Sequence, residues 1–204
     1  ALLALVAACG FLARSLAATW SSPIALWERA TEIHPDGALA LHNLGHARTT
    51  LAERSALPAE RATLLASAED AYRRSLAVTR LPSSLIGLGV VLEKRSVAAG
   101  TDARARDLQL AAELIDEGIA RAERDAAVDP RWIVNRGVVR WHRGQRDAAI
   151  ADFEQSLAAE PDDSSTRRLL VQMLHEAGRG REARRHLARA LSDAPDDADL
   201  WAWS

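Results

Sequence analysis

The chain has 204 residues, of which 48% are apolar and 26% charged, and its formal net charge is -2. It is long and apolar enough to bury a core without metals or disulfides. Its near neutrality excludes a nucleic-acid binder held mainly by phosphate neutralisation. The single cysteine, Cys9, allows no internal disulfide and no cysteine-based zinc site. Abundant Ala, Leu, Arg and Glu, with only 11 Gly and 7 Pro, predict an all-α chain.

The first element is an uninterrupted apolar run, ALLALVAACGFLA, extended past Arg14 to Trp20. Spanning a hydrocarbon core takes about 20 helical residues, so residues 1–20 are expected to form a transmembrane or membrane-anchoring helix. Leu2, Leu5, Phe11 and Leu12 form its apolar body, with Arg14 and Trp20 near the interface. Two other readings stay open. Val6-Ala7-Ala8-Cys9 resembles a lipobox, with Cys9 as the lipidated residue. Alternatively, the run is a buried helix capping a soluble domain. Truncating residues 1–20 and following whether the rest partitions into the soluble fraction separates this last reading from the others.

Beyond residue 20 the chain repeats itself. Gly144, Ala149, Phe153, Leu157 and Pro161 recur, displaced by 34 residues, as Gly178, Ala183, Leu187, Leu191 and Pro195. A small, large, small, apolar pattern at offsets 0, 4, 7 and 8 lies on one helical face and marks second helices. It is met by Ala68, Tyr72, Ser75, Leu76; by Ala111, Ile115, Gly118, Ile119; by Ala149, Phe153, Ser156, Leu157; and by Ala183, Leu187, Ala190, Leu191. Pro23, Trp27, Ala30 and Thr31 give a partial fifth copy. First helices are marked by Asn43-Leu44-Gly45, Leu88-Gly89, Asn135 with Gly137, and Leu170 with Leu174. Two helices approach closely where one lacks a Cβ, so Gly45 is expected against Ala68 and Gly137 against Ala149. Pro35, Pro161 and Pro195 follow second helices, where a residue without N–H ends one helix and positions the next.

These residues resemble the tetratricopeptide repeat (TPR) family over about residues 23–204. The resemblance implies a right-handed superhelical solenoid of about four helix hairpins. Its units are expected at 21–37 (a half repeat), 38–82, 83–129, 130–163 and 164–197, with 198–204 as a partial capping helix around Trp201. Gly45 to Gly89 is 44 residues and Gly89 to Gly137 is 48, so the middle units are longer than standard, through ERSALPAE and VAAGTDARA. A second, narrower resemblance is carried by Trp20, Pro23, Leu26, Trp27, Pro35 and Asn43-Leu44-Gly45. It resembles the junction in membrane O-mannosyltransferase-like proteins where the last transmembrane helix passes into a TPR tail.

In the TPR register, His42, Asn43 and His46 occupy positions that line the concave groove, as do Asn135, Val138 and Trp141, and Arg168, Gln172 and His175. An exposed Trp beside Arg and amide groups suits a peptide groove, because rigid aromatics and Arg dominate hot spots. His42 and His46, four apart, could in geometry share a metal, but no third ligand is obvious, so no metal site is assigned. The lysine and asparagine pattern that TPRs use to clamp a chaperone tail is not met, since the only lysine, Lys94, falls outside it. Arg136, Arg140 and Arg143 share one face where TPRs usually place Leu and an aromatic at the first two positions. They are read as a rotated helix, a stripe facing a partner, or a salt-bridged face. Arg179, Arg181, Arg184, Arg185 and Arg189 form a second basic surface with Glu182 and Asp193 beside it. No GxxxxGK[ST], GxSxG, HExxH or paired-cysteine motif occurs.

The expected molecule is therefore a membrane-associated, extracytoplasmic TPR scaffold or assembly subunit that binds a protein partner through its groove. No cofactor, nucleic acid or small-molecule substrate is expected. The alternative is the extracytoplasmic tail of a polytopic membrane glycosyltransferase whose catalytic part lies outside this chain.

Overall fold

A computed structural model of the chain describes Trp20, residues 22–98 and residues 100–193. The described residues form nine α-helices and no strand: α1 (Pro23–Ile33), α2 (Ala38–Arg54), α3 (Pro58–Val78), α4 (Pro82–Ser96), α5 (Thr101–Arg124), α6 (Pro130–His142), α7 (Arg146–Ala159), α8 (Ser164–Glu176) and α9 (Gly180–Asp193). Helices α1, α3, α4 and α6 open on a proline, whose missing N–H is one of the unpaired donors of a first turn in any case. Ser22, Asp129 and Asp163 cap α1, α6 and α8 by accepting backbone N–H bonds from Ala25, from Arg131, and from Ser165 and Thr166.

Two compact units divide between Ala99 and Gly100. Unit 1 holds α1 to α4 and unit 2 holds α5 to α9. The repeat expected over 83–129 is thus shared, with α4 in the first unit and α5 in the second. The extra residues of the middle repeats go into helix: α3 has 21 residues and α5 has 24.

Of the second-helix pattern positions on α3, α5, α7 and α9, all are buried except Leu76 and Leu191, which are half-buried. Leu41, Leu44, Leu85 and Leu92 of unit 1 and Ile133, Leu170 and Leu174 of unit 2 are buried as well, at most 4% exposed, and Ala149, Phe153, Leu157 and Ala183 share one core cluster with Leu170 and Leu174. Two pattern positions also carry a hydrogen bond. Ser75 Oγ donates to the Ala38 carbonyl at 2.8 Å, and Ser156 Oγ donates to the Pro130 carbonyl at 3.2 Å. In both units a buried hydroxyl of a second helix therefore holds the first residue of the helix before it. Gly144 and Gly178 follow α6 and α8 with φ of +77° and +74°, a conformation that side chains with a Cβ disfavour. That requirement explains their recurrence at the repeat period.

Of the two expected glycine contacts, one is as expected and one differs. A Cβ on Gly45 would meet the Tyr72 ring first, at 3.0 Å, so the ring lies nearer to this glycine than Ala68 does. A Cβ on Gly137 would meet Phe153, the Asp152 Cβ and the Ala149 carbonyl at 3.1, 3.2 and 3.3 Å, so this glycine does lie against Ala149 of α7, through the backbone of that residue. Among the described residues no helix is long and apolar enough to cross a membrane. The expected apolar segment, with Leu2, Leu5, Cys9, Phe11 and Leu12, lies outside the described residues, as does the expected cap at 198–204. Trp20 is described and is 73% exposed.

Candidate functional site

The first-helix faces of the two units carry the residues singled out in the sequence. On α2 of unit 1, His46 is exposed while His42 and Asn43 are half-buried. His42 stands at the head of a polar chain. Its Nδ1 lies 3.2 Å from Ser84 Oγ, which lies 2.8 Å from Ser75 Oγ, and its ring sits 5.6 Å from the Tyr72 ring. Burial, reinforced by the nearby His46, pushes the His42 imidazole down from 6.5 to about 4. Burial likewise pushes the Tyr72 phenol up to about 12, against a hydrogen bond with Thr49 that acts the other way.

The His42 shift sets a pH dependence. The unfolded chain takes up this proton near pH 6.5, whereas the folded chain resists it until about pH 4. The stability contribution is therefore complete above pH 6.5 and is lost as pH falls from there towards 4. We expect the native chain to lose about 2 kcal/mol more unfolding free energy across that window than a His42→Gln variant, after allowing for partial hydration of the ring. Parallel urea-unfolding profiles for the two proteins would refute this.

On α6 of unit 2, Asn135, Val138 and Trp141 are all half-buried. Trp141 is not the exposed ring expected. It packs with Val134, Val138 and Leu169 on the core of Ile150, Phe153, Leu170 and Leu174, and the Arg146 guanidinium lies 5.4 Å over its ring. On α8, Arg168, Gln172 and His175 are exposed, with the Gln172 amide donating to Glu176 at 2.9 Å. This face is thus a half-buried apolar strip bordered by polar groups. Asn43 and Asn135 stand at equivalent places on α2 and α6, and neither carboxamide has a hydrogen-bond partner among the described residues.

The arginine stripe of α6 resolves into internal pairing. Arg136 donates from Nη2 to Asp152 Oδ1 at 2.7 Å and from Nε to both oxygens at 3.2 Å, while Arg140 Nη1 reaches both at 2.8 Å. Arg143 donates to the Gln109 side chain at 2.6 Å. The helix is not rotated, since Gly137 is buried against α7 as the register requires. The partner of this stripe, Asp152, was missed. The readable signal was an acid one residue before Phe153, on the helix that faces two arginines at normally apolar places.

Unit 1 also contains a cavity of about 520 Å³, floored by Ala52, Ala62, Leu65 and Ala66. Its rim charges neutralise each other, Lys94 with Glu53 at 2.8 Å and Arg95 with Glu69 at 2.5 Å. Among the described residues no group of three or more His, Cys, Asp or Glu could hold a metal ion.

Helix pairs built on a recurring small-large-small face resemble those of tetratricopeptide proteins, and the sequence model of the family described as Tetratricopeptide repeat matches residues 140–202. The structure resembles TTC0263, a thermophilic TPR protein in Thermus thermophilus, at 26% identity and a TM-score of 0.69, covering 98% of this chain and 93% of that one. YrrB, described as a TPR protein with an unusual peptide-binding site, matches at 16% identity and a TM-score of 0.60, over 85% of this chain and 77% of that one. MamA matches at 16% identity and a TM-score of 0.60, over 86% and 89%. No curated protein matches by sequence. The fold is therefore that of TPR proteins, and none of these three is described as an enzyme. The O-mannosyltransferase-like junction has no counterpart among these matches.

Proposed function

We propose that this chain is an interaction scaffold in which the first-helix face of each unit holds an extended segment of a partner protein. The observation that carries this reading is the pair of half-buried, unpartnered carboxamides, Asn43 and Asn135, at equivalent places in the two units. A primary amide offers a donor and an acceptor together, which matches the N–H and C=O of an extended peptide backbone and leaves side-chain identity free. Beside Asn135 the apolar strip of Val134, Val138 and Trp141 supplies a surface for a partner side chain. YrrB, with its described peptide-binding site, shows the fold in that use. His42, His46, Arg168, Gln172 and His175 border these faces and would set side-chain preference.

Displayed random peptides selected on the wild-type chain test the reading. Asn43→Ala with Asn135→Ala should weaken the selected peptides by about tenfold, the effect of losing one or two buried hydrogen bonds. Unfolding should be unchanged, because neither amide supports the fold. Equal affinity for the double variant and the wild type would defeat the proposal. Trp141→Ala is a poorer probe, since that ring is also part of the core. Tethering to a membrane rests on residues 1–20 alone, and the truncation described above tests it.

A further inference from the structure

Helix α9 presents a basic face that enters no ion pair among the described residues. Its inner stripe, Ala183, Leu187 and Ala190, is at most 4% exposed; Leu187 and Ala190 pack with Val171 of α8, and Ala183 joins the core of Leu170 and Leu174. The opposite face carries Arg181, Arg184 and Arg185, all exposed, with the small residue Ala188 following. The flanking arginines are neutralised internally. Arg179 reaches Glu182 at 2.7 and 2.6 Å and Asp147 at 3.3 Å, and Arg189 reaches Asp162 at 3.0 Å. Arg181, Arg184 and Arg185 enter no ion pair among the described residues, and Arg185 acts on Glu182 only at longer range.

That arrangement opposes helix stability twice. Arg181 stands three and four residues from Arg184 and Arg185, the spacings at which like charges repel on a helix. Arg181 also lies in the first turn of α9, where the positive end of the helix dipole disfavours a cation. Among the described residues only the longer-range attraction between Arg185 and Glu182 offsets this repulsion, which directs attention to a partner outside the chain.

We propose that the Arg181–Arg184–Arg185 face of α9 is a second docking surface, separate from the amide-bearing faces, and that it takes an acidic segment of a protein partner. The three guanidinium groups span little more than one helical turn, about 6 Å along the axis. This matches carboxylates spaced three and four apart on a partner helix, which planar guanidinium forks bind bidentately. A lipid surface fits less well, because no large apolar side chain on this face could enter it. Nucleic acid fits less well too, because three guanidinium groups on a chain of net charge -2 neutralise only a few phosphates.

The test is fluorescence anisotropy of a labelled peptide of repeating Glu-Glu-Ala-Ala with the full chain at low salt. The wild type should bind, with affinity falling as salt rises. Charge reversal of Arg181, Arg184 and Arg185 to Glu should weaken binding by at least about tenfold, and their joint change to Gln should weaken it less, with circular dichroism showing helix content retained. Arg54→Glu with Arg106→Glu should leave it unchanged, as should Asn43→Ala with Asn135→Ala, which separates this surface from the one proposed above. The inference is overturned if the wild type does not bind, or if reversal at Arg54 and Arg106 weakens binding equally. It is also overturned if phosphatidylserine vesicles or a single-stranded oligonucleotide bind through these arginines more tightly than the peptide.

Discussion

Replacing Asp152 by alanine is expected to lower the unfolding free energy by about 3 kcal/mol, the cost of leaving buried cations without their anion. The carboxylate is 3% exposed and is held by guanidinium groups that are 18% and 28% exposed, Arg136 and Arg140. Without Asp152 the two cations face each other across a pocket that water reaches only in part. Partial rehydration of Arg140 keeps the loss below the upper end of what broken buried pairs cost. The same reasoning predicts the opposite result when all three groups are removed together. Arg136→Leu, Arg140→Phe and Asp152→Ala would put a leucine and an aromatic where TPRs usually carry them. Replacing a buried ionic cluster by packed apolar groups is often neutral or stabilising. Urea unfolding should therefore place the triple variant at or above the wild type and far above Asp152→Ala. If Asp152→Ala alone were as stable as the wild type, the cluster would be ornamental to the fold. If the triple variant were as weak as the single one, the arginines would be holding something other than Asp152.

The repeat was legible because it is written in volume. Small and large residues at offsets 0, 4, 7 and 8 must alternate for two helices to close, and Ala149, Phe153 and Ser156 have no other way to be buried together on one face. Turn glycines were legible for a similar reason, since Gly144 and Gly178 adopt a backbone conformation that few other residues tolerate. What spacing could not show was which partner each position meets across the interface. Gly45 was matched to the small residue Ala68, whereas the Tyr72 ring lies nearer to it. A pattern of sizes fixes the face but not the rotamer that fills it. Charge was harder still. Arg136 and Arg140 looked equally able to serve a partner, solvent or an internal acid. Only the approach of α7, which brings Asp152 within 2.8 Å of Arg140, decides among these. The unpartnered state of Asn43 and Asn135 is likewise a property of surroundings, not of sequence. The arginines of α9 follow the same logic in reverse, because their flanking pairs with Glu182, Asp147 and Asp162 single out the three left over.

Gly87→Ala is expected to destabilise unit 1 by about 2 kcal/mol, as a net of two opposed terms. Alanine in place of glycine inside a helix gains about 1 kcal/mol, whereas forcing a methyl into a filled core costs about 3 kcal/mol. The second term wins here because of where the methyl would land. It would fall against Cζ of Tyr72, 2.5 Å from Cε1 and 2.7 Å from Oη. The ring has little room to retreat. It is 2% exposed, its hydroxyl is bonded with Thr49, the backbone of Gly45 also lies against it, and the His42 ring is tilted towards it with centroids 5.6 Å apart. Gly45→Ala should cost less, since its methyl would meet the ring at 3.0 Å, a distance that a small shift relieves. Thermal unfolding should therefore rank wild type above Gly45→Ala above Gly87→Ala. A Tyr72→Leu background separates overpacking from any other cause. Leucine leaves the phenol end of the pocket empty, so the added methyl should then cost little or even stabilise, and the two substitutions should fail to add. An undiminished cost of Gly87→Ala in that background would show that the glycine is required for the backbone of α4 and not for the ring it faces.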